Sequence, residues 1–308
     1  MKDKEIKYNE ILDSIFGKKL EITHWNVEEN TTQKEIEDLS KHEGLSISCS
    51  KIPDWIVSLK KVRDLTFSGD YITIPDSIGN LKQIEKLVFR SNNLELVPDS
   101  VGNISSLKDL SIESTNTKIS DNIGNLLNLE TLRLKIDKIN SLPENIGKLS
   151  KLRMLTVDCN HLEIIPEIIS ELSSLEVLHI DTMKELPLPE KLCRLPNLEY
   201  LSIRGNVPED IGLLKSLQWL HVYYKNRKAK DKNARKIPIS ITSLINLKNL
   251  YIDTDIIPEG IGDLLSLQEL EVNFENKFPK IPLSINNLQE LKVFKIVKKY
   301  SIQNYDSC

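Results

Sequence analysis

The chain has 308 residues, which at ~150 residues per domain suggests two globular domains. It is 40% hydrophobic and 28% charged, with 41 Lys plus Arg against 45 Asp plus Glu, a formal net of -4 at pH 7. That composition excludes a disordered or fibrous chain and shows no overall basic field of the kind a general nucleic-acid or membrane-surface protein carries.

Residues 1–41 read as an N-terminal helical cap. Charges are interspersed through the first segment, with no uninterrupted apolar stretch ahead of a small-residue cleavage site, so no secretory signal is expected. No stretch approaches the ~20 apolar residues that cross a bilayer, so no membrane role is expected. Tyr8, Ile11, Leu12 and Ile15 have helical spacing, and Thr32 with Glu35 forms a capping box ahead of Ile36 and Leu39. Leu20–Ile22 offers a first strand, and Leu45–Ile47 a coil leading to Pro53. Cys49, Cys159, Cys193 and Cys308 contain no C-x-x-C pair, which fits incidental thiols in a reducing cytoplasm.

From Pro53 onward one period organises the sequence. Anchors fall at Pro53, Pro75, Pro98, Ser120, Pro143, Pro166, Pro189, Pro208, Pro238, Pro258 and Pro282, most of them 22 or 23 residues apart. Positions plus 3, 6, 9, 12 and 14 from every anchor are apolar, and glycine recurs at plus 4, where a tight bend is expected. The L-x-L pair at plus 12 and 14 alternates as a short strand does, while I-x-x-L-x-x-L before it has the spacing of a 3-10 turn. One such unit cannot bury its apolar edge alone, so stability must come from stacking coil on coil. The two-domain estimate is thereby replaced by one solenoid of about eleven to twelve coils over residues 42–300, with a tail at 301–308.

These residues resemble the leucine-rich-repeat family. Ile84 through Leu87, Phe89, Asn92 and Leu94 to Pro98 is close to its L-x-x-L-x-L-x-x-N-x-L-x-x-I-P pattern, as is Leu152 through Asn160 to Pro166. The resemblance implies an α/β leucine-rich-repeat solenoid, a curved horseshoe with a parallel sheet on the concave face and short helical or 3-10 turns on the convex face. It also implies that the asparagine position bonds the turn between coils. Asn92, Asn160 and Asn206 keep it, whereas Asp70, Thr115, Asp137, Met183, Lys225, Asp255 and Glu275 depart from it.

In this architecture positions plus 11, 13, 15 and 16 are expected to face outward on the strand side and to be free for recognition. Cys49 and Cys159 fall at the last of these. Early coils carry small or charged residues there, and later coils carry Tyr200, Trp219, Tyr223, Tyr224, Tyr251 and Phe274, accompanied by His179, Asp181, Arg204, His221 and Asp253. Tyr, Trp and Arg dominate many interface energies, so this patch is the expected partner-binding surface. Beside it lies an insertion, residues 225–236, with basic residues Lys225, Arg227, Lys228, Lys230, Lys232, Arg235 and Lys236 against one acidic residue. It reads either as a solvated loop or as a steering element for an anionic ligand.

Catalysis has little support. His179, Ser202 and His221 occupy equivalent positions in consecutive coils, but nothing places Ser202 on a strained elbow or supplies oxyanion donors, and the two histidines are too far apart for a shared metal. No phosphate-loop, dinucleotide, zinc-protease or nucleophile-elbow motif occurs. The expectation is a non-catalytic cytoplasmic scaffold, needing no cofactor or metal, that binds a protein partner on its concave face. The alternative is nucleic-acid or anionic-ligand binding through the basic insertion and its aromatic neighbours. The short sequence after Ile296 leaves the last coil weakly capped, which offers a route to self-association.

Overall fold

The computed structural model describes residues 22–26, 31–224, 237–275 and 277–299. Thirteen parallel strands form one open sheet in strict chain order. We number them β1 (Thr23–Asn26), β2 (Gly44–Ser48), β3 (Asp64–Ser68), β4 (Lys86–Arg90), β5 (Asp109–Ser114), β6 (Thr131–Ile136), β7 (Met154–Cys159), β8 (Val177–Thr182), β9 (Tyr200–Arg204), β10 (Trp219–Tyr223), β11 (Asn249–Asp253), β12 (Glu269–Phe274) and β13 (Val293–Lys298). The one α-helix among the described residues, α1 (Gln33–Leu39), opens with the expected capping box. The Glu35 N–H donates to Thr32 Oγ1, and the Thr32 N–H donates to Glu35 Oε2 at 2.7 Å. The sheet has one strand more than the repeat count suggests because β1 extends it into the segment read as a cap. Only Ile22 of the strand expected at Leu20–Ile22 lies within the described residues, and β1 begins one residue later. The helix expected around Tyr8 to Ile15, the basic insertion and the tail lie outside the described residues.

Each coil runs from strand to 3-10 turn and back. Proline stands immediately before the turn because its fixed φ suits that entry and its missing N–H is not needed there. Ser120 replaces proline by a different means, its hydroxyl accepting from the Asn122 N–H at 3.0 Å. The residue at plus 3 is then hydrogen bonded back to the anchor carbonyl, as Ile56 is to Pro53 at 3.2 Å. Behind the sheet, the plus 3, 6, 9, 12 and 14 side chains form a continuous buried column from Ile56 and Leu59 to Leu270 and Val272. Each such side chain contributes ~1.5–3 kcal/mol on burial, and only neighbouring coils supply that burial. In the final described coil Ile285, Leu291 and Ile296 are only half-buried.

One expectation is sharpened and one corrected. Among the described residues only Gly69 and Gly205 have positive φ; the plus 4 glycines lie within the 3-10 turns, the tight bend expected there, without left-handed backbone. They are glycine because adjacent turns approach closely. A Cβ on Gly102 would lie 2.2 Å from the Asn122 carbonyl oxygen, and one on Gly79 2.5 Å from that of Ser100. The plus 16 residues, in turn, face inward because they continue the alternation of plus 12 and plus 14, Ser114, Cys159 and Thr182 being the last residues of β5, β7 and β8. Ser91, Ser114, Cys159, Thr182 and Thr254 are buried there and donate to turn carbonyls, as Ser91 Oγ does to Tyr71 at 2.6 Å. These side chains make the inner rungs expected of asparagine, and Asn92, Asn160 and Asn206 are exposed. Cys49 and Cys159 are therefore core residues and do not lie on the concave face.

Candidate binding face

The strand pairing fixes which outward residues meet. Tyr200 pairs in register with Trp219 at plus 11, and His179, Ser202, His221 and Tyr251 run side by side at plus 13. The aromatic rings bridge the two rows. Tyr200 and Trp219 stack with centroids 5.6 Å apart, and Trp219 and Tyr251 with centroids 5.1 Å apart, both at 28°. Met154 and Val177 extend the row, giving a buried apolar ridge on the outward face, separate from the core behind the sheet. Tyr200, Trp219 and Tyr251 are 7%, 6% and 5% exposed. They brace one another and form the floor of the face, not a set of projecting anchors. The Tyr251 hydroxyl donates to Glu269 Oε2 at 2.5 Å, and burial with that carboxylate pushes its ionisation up.

Above the floor stand half-buried His221 and Tyr223, whose rings are 4.8 Å apart, while His221 meets Tyr251 edge-on at 5.8 Å. Arg204 projects from the end of β9, its guanidinium carbon 4.9 Å from the Tyr223 ring centre, and its Nη2 donates to Asp181 Oδ1 at 2.5 Å. Desolvation, followed by the neighbouring Asp181, raises the Tyr223 phenol. Burial holds His179 below the ordinary imidazole range, so the ring stays neutral despite Asp181 and Asp158 nearby.

Three expected members stand elsewhere. Tyr224, at plus 16, packs into the core, and its hydroxyl donates to Asn206 Oδ1 at 3.1 Å. Phe274, also at plus 16, meets Phe278 edge-on at 5.4 Å, apart from the aromatic row. Asp253 is buried as a staple, accepting from the Tyr224 N–H at 2.9 Å, Asn273 Nδ2 at 3.0 Å and Lys299 Nζ at 2.5 Å. The seven basic residues of 225–236 lie outside the described residues. Residues not anticipated are Asp158, aligned with Asp181 across β7 and β8, and Glu269 and Glu271 on β12. The signal was present, since all three occupy outward positions in the repeat frame, but attention to aromatic residues passed over them. Burial and then Asp181 raise the Asp158 carboxyl.

The thiols of Cys49 and Cys193 are pushed up to about 11 by burial, the reverse of an activated nucleophile. Among the described residues no helix is long and apolar enough to cross a membrane.

A family model described as a leucine-rich repeat region matches residues 113–204 and 188–307, more than half of the chain. No curated protein matches it. Among solved structures, a leucine-rich-repeat protein of Leptospira interrogans is 20% identical, with 88% of this chain covering 76% of that one at a TM-score of 0.73. An internalin from Listeria monocytogenes is 17% identical, with 96% of this chain covering 89% of that one at a TM-score of 0.58. The Arabidopsis receptor kinase HAESA, solved with the peptide hormone IDA and the co-receptor SERK1, is 19% identical, with 84% of this chain covering 54% of that one at a TM-score of 0.57. At these identities the structures speak for the fold alone, and with the family match they agree with the sheet and its period: the chain belongs to the leucine-rich-repeat family.

Proposed function

We propose that this protein is a non-catalytic interaction scaffold that seats a protein partner on the outward face of β8 to β11. The observation that carries the reading is the apolar ridge of Met154, Val177, Tyr200, Trp219 and Tyr251, built where earlier coils place paired charges and serine. The core behind the sheet is complete without it. A pre-packed floor lets His221, Tyr223 and the Arg204–Asp181 pair meet a partner at little further cost in side-chain entropy. The peptide complex of the HAESA neighbour supports a polypeptide ligand for such a face. Nucleic acid suits it less, because the rings that would stack on bases already stack on one another. Buried free thiols at Cys49, Cys159 and Cys193 support a reducing, cytoplasmic setting. The less covered final coil supports self-association at that end, which sedimentation at several concentrations measures.

Affinity capture from source lysate tests the site, using Tyr223→Ala and His221→Ala because both side chains are half-buried and peripheral to the stack. The captured partner is expected to fall about tenfold or more, a loss typical of interface hot spots, with the urea midpoint unchanged. Undiminished capture by the double variant overturns the reading.

A further inference from the structure

Where the strands end, neighbouring coils are joined by the main chain. The plus 16 N–H donates to the plus 15 carbonyl of the next coil from Gly69 to Arg90 at 3.1 Å, Ser91 to Glu113 at 3.0 Å, Gly205 to Tyr223 at 3.1 Å and Thr254 to Asn273 at 2.9 Å. The joint between β10 and β11 is made differently. The paired register of these strands stops at Val222 with Ile252, and the plus 16 N–H of Tyr224 donates to the side chain of Asp253, at 2.9 Å from Oδ2. A carbonyl accepts as a neutral group. The Asp253 carboxylate, on a residue 5% exposed, accepts as a buried charge and requires a counterion.

That counterion comes from the end of the last described coil. Lys299, just beyond β13, reaches back across β12 to place its Nζ 2.5 Å from Asp253 Oδ2, the same oxygen that takes the Tyr224 N–H. Asn273 Nδ2, on β12, donates to the other carboxylate oxygen at 3.0 Å, and the Lys299 N–H donates to the Phe274 carbonyl at 2.8 Å. The peptide between Tyr223 and Tyr224 is thus held on its carbonyl side by Gly205 and on its N–H side by Asp253.

We infer that Lys299 and Asp253 form a latch: docking of the last coil supplies the charge that keeps the Tyr223 edge of the candidate face in order. The latch can open without repacking the core. A polar cavity of about 20 Å³ lies against the pair, with Thr254, Asp255 and Glu275 in its wall, which is room for one water to take the place of the ammonium. The Lys299 side chain is 35% exposed, so its way out leads to solvent. Once it leaves, Asp253 is a buried charge without its cation, and the joint to Tyr224 loosens. Fraying of the final coil, where Ile285, Leu291 and Ile296 are only half-buried, is thereby passed three strands inward to β10.

Amide hydrogen exchange of the full-length protein, read at Tyr224, tests the latch. Lys299→Met keeps the length of the side chain and removes the charge. Exchange at Tyr224 is expected to speed about tenfold or more, because a buried carboxylate stripped of its partner is strongly destabilising. Lys299→Arg should retain most of the protection. The Asp253→Asn, Lys299→Met double variant should recover it, since a neutral carboxamide oxygen accepts from Tyr224 without needing a counterion. Lys292→Met removes a lysine of the same coil that contacts Gln268, away from the joint, and should leave Tyr224 unchanged. Equal exchange in parent and Lys299→Met, or faster exchange in β13 that stops short of Tyr224, overturns the latch. So does a double variant as fast as Lys299→Met alone, an arginine variant as fast as the methionine one, an equal effect of Lys292→Met, or acceleration that extends equally to β3 to β6 and so reports loss of the whole fold. Amide exchange needs no partner: a latch that fails leaves the protein-binding reading untouched, and loss of that reading leaves the latch.

Discussion

Strands β3 to β6 and strands β8 to β11 share the same repeat and the same buried columns, yet their outward faces are built on opposite principles. In the first group charges alternate across the ladder, and each has an opposite neighbour: Lys86 with Asp64 at 3.5 Å, Arg133 with Asp109 at 2.9 Å, and both Arg90 and Lys135 with Glu113 at 3.6 and 2.8 Å. Where such pairs are exposed to water, as Arg90 and Lys135 with Glu113 are, they add little stability. In the second group the outward row is itself a buried aromatic layer. The contrast shows that the inward columns set the architecture, while the outward rows are free either to close on themselves or to become a second, specialised layer.

The largest expected effect breaks that second layer. Trp219→Ala removes the middle ring of the stack and should cost ~3–5 kcal/mol, the range for a buried aromatic truncated to alanine. Lys135→Ala, on the outward face of β6, should cost less than ~1 kcal/mol, since it and its partner Glu113 are both more than a third exposed. Urea denaturation of the two variants measures the difference, and equal losses would erase the contrast.

Next in size is the coil-to-coil spacing on which both regions depend. Gly102→Ala places its Cβ 2.2 Å from the Asn122 carbonyl oxygen, whereas Gly260→Ala meets nothing nearer than a Thr242 methyl at 3.1 Å. Overpacking of the first kind typically costs ~1–3 kcal/mol, and the second should be close to neutral. Thermal melts of the pair separate a pitch constraint from a general dislike of alanine in these turns.

Acid affects the later coils specifically. Burial lowers the folded-state pKa of His179, so below the ordinary ~6.5 of histidine the unfolded chain binds the extra proton first. Stability should therefore fall as pH drops below about 6.5, and His179→Asn should flatten that fall. Asp158 works the other way. Its raised pKa means the charged form is disfavoured in the fold, so the strain is present at neutral pH and relieved on acidification. Asp158→Asn should gain stability at neutral pH. Melting temperatures from pH 8 down through the ordinary ~3.9 of aspartate read both slopes.

Much of the fold was legible because it rests on local spacing. The plus 3, 6, 9, 12 and 14 columns, the proline entry to each turn and the Thr32–Glu35 box all depend on residues close in sequence. What escaped depends on neighbouring coils. Nothing within one repeat says that Gly102 is glycine because of Asn122, or that Ser91 is an inner rung because its hydroxyl reaches Tyr71. For the binding face, membership in the outward rows was legible for Tyr200, Trp219, Tyr251, His221 and Tyr223. Their exposure was not, because one aromatic residue at the surface projects while three on adjacent strands bury one another.

The smallest expected effect concerns the flank of the earlier strands. Arg63 Nη1 and Lys108 Nζ both lie 2.8 Å from the Glu85 carboxylate, which joins three consecutive coils, and these contacts hold the Glu85 pKa below its ordinary value. Glu85→Gln keeps the shape and removes the charge. All three side chains are at least a third exposed, so solvent screens the loss, which should stay below ~1 kcal/mol and vanish at high salt. With a depressed folded pKa, the contribution is present above the ordinary ~4.3 of glutamate and lost as pH falls through the lower folded value. A urea midpoint difference between parent and Glu85→Gln at pH 7 that disappears in acid would confirm that side-chain charge holds these coils together only weakly. A loss comparable to that of Trp219→Ala would instead make the charged ladder a structural layer in its own right.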